Sequence, residues 1–326
     1  MKAAVYERYG PPEVVTIRDV PKPTPGERDI LIRTVATTVN SGDWRVRSLG
    51  VPTGFGLISR LVFGLHRPKQ PILGMEVSGV VEAVGPGVTR FAVGDEVFSF
   101  DGAGMAGHAE YKCLSEDKPI ARKPANISHQ EAAALSFGGT TALDFYRRAR
   151  LQSGERVLVN GASGTVGLAA VQLARHFGAH VTGVCSTGNR ELVQSLGADR
   201  VIDYTQEDFT RVGESWHVIV DTAGTAPHSR SKAALADAGR LLLVLGGMPS
   251  LLAIPWINLT TRHQVIGGPA AERADDVRIL AELAEAGQYR AVIDRTYPFE
   301  EIVEAHRHVD TGHKKGSVVV TVARQP

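Results

Sequence analysis

The chain has 326 residues, 43% of them hydrophobic and 22% charged, which is length enough for about two domains with a sizeable core. A formal net charge of +1 gives no overall bias toward nucleic acid or a membrane surface. Two cysteines, Cys113 and Cys185, exclude a disulfide framework or a four-cysteine zinc site and fit a reducing compartment. The opening MKAAVYERYG lacks an apolar signal core, and the apolar run GFGLISRLVFGL is too short to span a bilayer and contains Arg60. A soluble cytoplasmic protein is expected, with a small-molecule substrate and neither nucleic acid nor membrane as partner.

In chain order, the first third reads as strands. VVTIRDV, DILIRTVATTV, VSGVVEAVG and VGDEVFSF are β-branched runs broken by Gly, Pro and Asp. SHQEAAAL then carries a capping box, Ser128 with Glu131 three residues on. From there strands and helices alternate: ERVLVNG, TVGLAAVQLARHFG, AHVTGVC, NRELVQSLG, RVID, WHVIVDTAG, GRLLLVLGG and HQVIGG. Such a βαβ series predicts an α/β fold with a doubly wound parallel sheet. RADDVRILAELAEAGQ follows as a helix with Val277, Leu280 and Leu283 on one face. The tail supplies one helix and one strand, and that strand is expected to rejoin the β-rich part. His306 and His308 lie two apart on the tail helix, point away from each other, and are expected at the surface.

Within LVNGASGTVGLAAVQLAR, Gly161, Gly164 and Gly167 fall between an apolar strand and an alanine-rich helix. In a dinucleotide-binding turn, glycines permit the tight turn, the approach of backbone to pyrophosphate, and close helix–strand packing. The phosphate rests on the helix N-terminus. A glycine triplet alone is weak, but strand, loop and helix opening a βαβ series is the required context. An NAD site usually ends its second strand in Asp or Glu. Here that strand ends VCSTGNR, with Cys185, Ser186 and Thr187 followed by Arg190. Hydroxyls and a guanidinium suit a 2′-phosphate, so NADPH is the expected cofactor.

ILGMEVSGVVEAVGPGV…FAVGDEVF, NGASGTVGLAAVQLA, LGADRVIDY, VIVDTAG and GHKKGSVVVTV occur in one order over nearly the whole chain. In that order they resemble the medium-chain dehydrogenase/reductase superfamily, nearest its zinc-independent quinone oxidoreductases. The resemblance implies a GroES-like catalytic domain, residues 1–124 and 268–326, and a Rossmann domain, residues 125–267. It also implies a homodimer formed by edge pairing of cofactor-domain strands. The zinc alcohol dehydrogenases carry a Cys in the segment here reading TVNSGDW and a His before Glu76. This chain has Asn40 in the first place and Met75 in the second, both poor zinc ligands, so no metal is expected. The Tyr followed four residues later by Lys that short-chain reductases need is missing.

Matched positions imply roles. Gly164, Thr165, Val166 and Gly167 hold the pyrophosphate, and Ser186, Thr187, Arg190 and Tyr204 surround the 2′-phosphate and adenine ribose. Ala223, Gly224, Leu245, Gly246, Gly247, Gly267 and Gly268 line the cofactor from the strand ends. Thr141 faces the nicotinamide, Lys315 and Gly316 close the site, and Asn40 lies near nicotinamide and substrate. Plain structural roles compete: Asn40 as a turn residue before a helix, Thr141 satisfied by its own backbone, Tyr204 capping the sheet edge, and Glu76 bonding backbone or an Arg. No proton donor is assigned, although Asp43 and His108 lie in segments that approach the pocket. The apolar stretch Gly50–Pro71 is either a lid over bulky acceptors or a loop packed on its own domain or a partner. SLLAIPWINLTTRHQV, with Trp256, raises the same choice.

The expected activity is NADPH-dependent, zinc-independent hydride transfer to a quinone-type acceptor. A C=C reductase for enones, 2-alkenals or enoyl compounds is the alternative on the same fold. A further alternative is an NADPH-binding protein with little turnover.

Overall fold

The computed structural model describes residues 1–322. In chain order the elements begin with β1 (Lys2–Tyr6), β2 (Val15–Asp19), β3 (Asp29–Val39), α1 (Ser41–Ser48), α2 (Gly56–Phe63) and β4 (Glu76–Val84). They continue with β5 (Glu96–Phe100), β6 (Tyr111–Ser115), β7 (Ile120–Arg122), α3 (His129–Ala133) and α4 (Ser136–Ala149). The alternating series is β8 (Arg156–Asn160), α5 (Thr165–His176), β9 (His180–Cys185), α6 (Arg190–Ser195), β10 (Arg200–Asp203), β11 (Trp216–Asp221), α7 (His228–Ser231) and β12 (Leu235–Leu243). The chain closes with α8 (Met248–Leu252), α9 (Ile254–Thr260), β13 (Gln264–Gly267), α10 (Ala274–Glu285), β14 (Ile293–Pro298), α11 (Ile302–Asp310) and β15 (Ser317–Thr321).

Two compact units result. The first comprises Met1–Val51, Gly56–Phe137 and the described chain after Glu272, and the second comprises Pro52–Phe55 and Gly138–Ala271. The stretch 125–137, which the sequence groups with the nucleotide domain, packs in the first unit. There α3, opened by the expected Ser128–Glu131 capping box, lies against β3, β4 and β5.

The second unit is a six-stranded, all-parallel sheet in the order β10-β9-β8-β11-β12-β13. The crossover between β8 and β11 is the switch point at which such sheets bind ligands beyond the strand ends. Strands covered on both faces read as continuous apolar runs, as in β8, where Val157, Leu158 and Val159 are all buried. Leu158, Val184, Ile219, Leu241, Val265 and Trp216 share one core.

The first unit carries a seven-stranded sheet, β14-β15-β3-β4-β5-β7, with β6 also paired to β3. β3 is long enough to serve two partners on one edge, β6 over Asp29–Arg33 and β15 over Ala36–Val39. The final strand does rejoin the β-rich part, parallel to β14 and antiparallel to β3. Ile30, Ile32, Val77, Val81, Val97 and Ile120 form this unit's core.

The tail histidines differ from expectation. His306 is fully buried, and His308 is half-buried with Nε2 at 2.7 Å from Asp294 Oδ2. His306 falls on the stripe Ile302, Ala305, Val309 that α11 turns inward, at i+4 from Ile302. Leu158→Ala, at the centre of the parallel sheet, is expected to destabilise the protein by about 2–5 kcal/mol, measured by urea unfolding.

Candidate functional site

The second unit's site starts at the C-terminal edge of β8. Gly161 has φ +81°, a left-handed conformation that favours glycine. Gly164 is the N-cap of α5 and, lacking a side chain, leaves the helix N-terminus uncovered. A Cβ on Gly167 would stand 2.1 Å from the Gly161 carbonyl oxygen, so the helix approaches the turn as closely as backbone allows. Gly164, Thr165 and Val166 are half-buried, and a Cβ at Gly164 would meet only one atom, at 3.7 Å. This is a cradle whose dipole end and open surface suit an anion.

Neighbouring strand ends continue the edge. Asp221 closes β11, fully buried, and its Oδ1 accepts from the amides of Ala223, Gly224 and Thr225 and from Asn160 Nδ2. Its Oδ2 accepts from the Ala226 amide. One carboxylate therefore shapes the Ala223–Gly224 turn, where Gly224 has φ +74°. Leu245, Gly246 and Gly247 follow β12, with Gly247 the N-cap of α8, and Gly267 and Gly268 end β13. No neighbouring atom lies within 4 Å of a Cβ built on Gly268.

Beyond β9, Ser186 Oγ accepts from Asn189 Nδ2 at 3.1 Å, and Arg190 and Tyr204 are exposed. The Thr187 hydroxyl donates to Asp203 Oδ2, and Asp203 also accepts from the Thr205 amide and hydroxyl and from Gln206. These bonds, Thr187 first, hold the Asp203 carboxyl below its ordinary pKa, with the Arg190 charge adding a little. Thr187 thus spends its only proton on Asp203 and has none left to donate to an anion. Thr141 is half-buried on α4.

In the first unit, Asn40 is a buried N-cap. Its Oδ1 accepts from the amides of Gly42 and Asp43, while Asp43 Oδ2 accepts from the Asn40 amide at 2.9 Å. Glu76, also buried, accepts from the Thr38 hydroxyl, the Phe137 amide at 2.5 Å and Asn40 Nδ2 at 3.5 Å. Burial pushes its carboxyl up to about 7 against those bonds, and the Asp43 charge adds to the rise. Asp43 is raised mainly by burial, and His108, whose Nε2 meets the Thr38 carbonyl at 2.9 Å, is lowered by it. Lys315 is exposed, whereas its neighbour Lys314 is half-buried, with Nζ donating to the Gly316 carbonyl at 2.7 Å. Burial lowers Lys314 to about 8, with Glu76 and Asp294 pulling the other way. Gly316 has φ +78° beneath the Val292 carbonyl.

Comparison with known proteins places this arrangement. Residues 26–142 match the alcohol dehydrogenase GroES-like domain, and residues 196–320 match a domain described as zinc-binding dehydrogenase. The 2-methylene-furan-3-one reductase of Solanum lycopersicum is 32% identical over 98% of this chain and 79% of its own length. The chloroplast envelope quinone oxidoreductase homolog of Arabidopsis thaliana is 30% identical over 98% of both chains. The solved quinone oxidoreductase of Coxiella burnetii superposes with a TM-score of 0.87 at 28% identity over 99% of both chains. The chain belongs to the medium-chain dehydrogenase/reductase superfamily. It groups there with the quinone oxidoreductases, enzymes that use a pyridine nucleotide.

The superfamily's zinc does not fit this donor set. Asn40 Oδ1 already accepts two amides, Met75 offers a thioether packed over Gly42, and Glu76 has protein donors on both oxygens. Among the described residues no group of three or more His, Cys, Asp or Glu is placed to hold a metal. The nucleotide does fit the second unit's edge, where glycines leave room beside a helix N-terminus.

Sequence reasoning missed Asp221, Asp203, Thr38 and Lys314. Asp221 and Asp203 stand at strand ends, a readable signal in itself, but their partners come both from the loops that follow and from neighbouring strand ends, Asn160 of β8 and Thr187 just past β9. Gly167→Ala forces the helix off the turn and is expected to weaken nucleotide binding at least about tenfold, read by titration calorimetry. Glu76 also makes stability depend on pH. Below about 4.5 its carboxyl is neutral folded and unfolded, and between 4.5 and about 7 only the folded chain keeps the proton, so stability falls as pH rises through that window. Glu76→Gln is expected to flatten this slope in urea midpoints measured across the window.

Proposed function

We propose that this chain is an NADPH-dependent oxidoreductase that passes hydride to a quinone-type acceptor without zinc. The observation that carries the reading is the end of β9, where Ser186 and Arg190 stand in place of the carboxylate that would hold an unphosphorylated ribose. When bound, NADPH supplies the hydride from C4 of its nicotinamide.

The chain's own residues bind and orient. The α5 N-terminus at Gly164, Thr165, Val166 and Gly167 takes the pyrophosphate. Ser186, whose oxygen accepts from Asn189, keeps its proton to donate to a 2′-phosphate, and the exposed Arg190 adds a charge-assisted pair. Tyr204 flanks the adenine ribose. Ala223, Gly224, Leu245, Gly246, Gly247, Gly267 and Gly268 keep backbone, rather than bulk, along the cofactor's path. Thr141 and Asn40 orient the nicotinamide, and Lys315 and Gly316 close over it. Asn40 is pre-set for this, because the α1 cap fixes its oxygen and Glu76 receives its amide. A quinone takes the hydride, holds its electron pair on its own oxygens and needs one further proton, which solvent supplies, so neither metal nor a protein acid is required. The reading includes a cytoplasmic homodimer formed by edge pairing of cofactor-domain strands.

A second reading has its own support. The tomato relative is named for a ketone conjugated to an exocyclic methylene. C=C reduction in an enone uses the same hydride and the same absence of zinc.

The deciding measurement is the loss of reduced-nicotinamide absorbance with a bulky ortho-quinone and a 2-alkenal side by side, using NADPH and NADH. Turnover of the quinone with NADPH is expected, and Arg190→Ala is expected to cut the preference for NADPH roughly tenfold or more. Turnover of the alkenal alone would transfer the assignment to C=C reduction. NADH serving as well as NADPH would overturn the 2′-phosphate site.

A further inference from the structure

Helix α2 is built inside out. Its single fully buried residue is Ser59, while Leu57, Ile58, Leu61 and Val62 are 70%, 46%, 58% and 57% exposed. Leu65, just beyond the helix, is 48% exposed. Soluble proteins bury the apolar stripe of such a helix, and a contiguous exposed one marks an interaction surface.

The charge around it is one-sided. From Gly50 to Pro71 the chain has Arg60, Arg67 and Lys69, together with His66, and no carboxylate. Arg60 and Lys69 are held at the helix by bonds to the carbonyls of Leu65 and Leu61. The turn after the helix is fixed as well. Gly64 accepts from the Tyr9 hydroxyl at 2.7 Å, and its φ of +128° admits no side chain beneath the Arg67 carbonyl. Beside the turn lies an open cleft of about 970 Å³ lined in part by His66, Arg67 and Lys69. Glu7, the only carboxylate in its lining, is paired with Arg18 at 2.8 Å.

We propose that α2 and the Leu65–Lys69 turn dock the protein peripherally on an anionic lipid surface, with the aliphatic side chains in the acyl boundary and the cations at the headgroups. Aliphatic residues beside a fixed basic cluster are the composition of interfacial helices. A second copy of the same face would set three cations against three with no carboxylate to answer them. The expectation of no membrane partner rested on whole-chain charge and on the lack of a spanning segment. Peripheral docking needs neither, and among the described residues no helix is long and apolar enough to cross a membrane. The inference is independent of the redox reading.

The test is flotation of the full chain with vesicles of phosphatidylcholine mixed with phosphatidylglycerol, against phosphatidylcholine alone, with no nucleotide or acceptor present. At least about tenfold more protein is expected on the anionic vesicles, with the excess lost at high salt. Leu57→Ser with Leu61→Ser is expected to abolish binding. Arg67→Glu is expected to lower it roughly tenfold. Wild-type protein that floats with neither vesicle overturns the proposal. So does a serine double variant that still floats fully, or one whose only changes are a raised KM for bulky quinones or loss of self-association.

Discussion

A buried carboxylate organises the first unit's corner. Glu76, first residue of β4, collects the Thr38 hydroxyl from β3, the side chain of Asn40 at the α1 cap and the amide of Phe137 at the start of α4. Two segments distant in sequence, Thr38–Asn40 and Phe137, are thereby referred to one pair of oxygens. Removing a partner would leave a buried polar group unsatisfied, and such groups cost far more than a lost surface bond. Asp43 repeats the device one step away, accepting the amides of Asn40 and Gly74. Asn40 therefore has no freedom to rotate into another role, which is the condition for a group that must orient a ligand. Hydrogen bonds alone set this corner.

The second unit solves a different problem, leaving backbone uncovered at a helix end. It does so by subtraction: glycines at 161, 164 and 167 remove side chains where a helix meets a turn. Asp221 then fixes the adjacent loop by accepting four backbone amides and the Asn160 side chain. Rigid loops and an uncovered helix end allow a charged ligand to bind without reorganising the protein.

Much of this was legible in the sequence, where the signal is local. The β8–turn–α5 unit follows from three glycines between an apolar run and an alanine-rich stretch, and the Ser128 cap from one serine and one glutamate. What escaped depends on partners far away. Nothing near Glu76 announces Thr38 or Phe137. Lys314 and Lys315 are adjacent and chemically identical, and only the fold decides which one is drawn in. His306 was readable from its i+4 spacing to Ile302, but its polarity outweighed the pattern. For α2 the sequence leaves a lid and a packed loop open, and only the burial of Ser59 shows which face turns in.

The placement of β15 also governs how the chain is made. The last strand lies between β14 and β3, two strands from opposite ends of the sequence. A ribosome releases everything up to Phe137 with one edge of β3 still lacking its C-terminal partner. Gly138–Ala271 emerges next, complete but for the short Pro52–Phe55 segment already made. The nucleotide-binding unit can thus close on local contacts while the N-terminal sheet waits with an open edge for β15. That edge is open to wrong pairing until β15 is made, and the β3–β15 closure is a long-range pairing of the kind that slows folding.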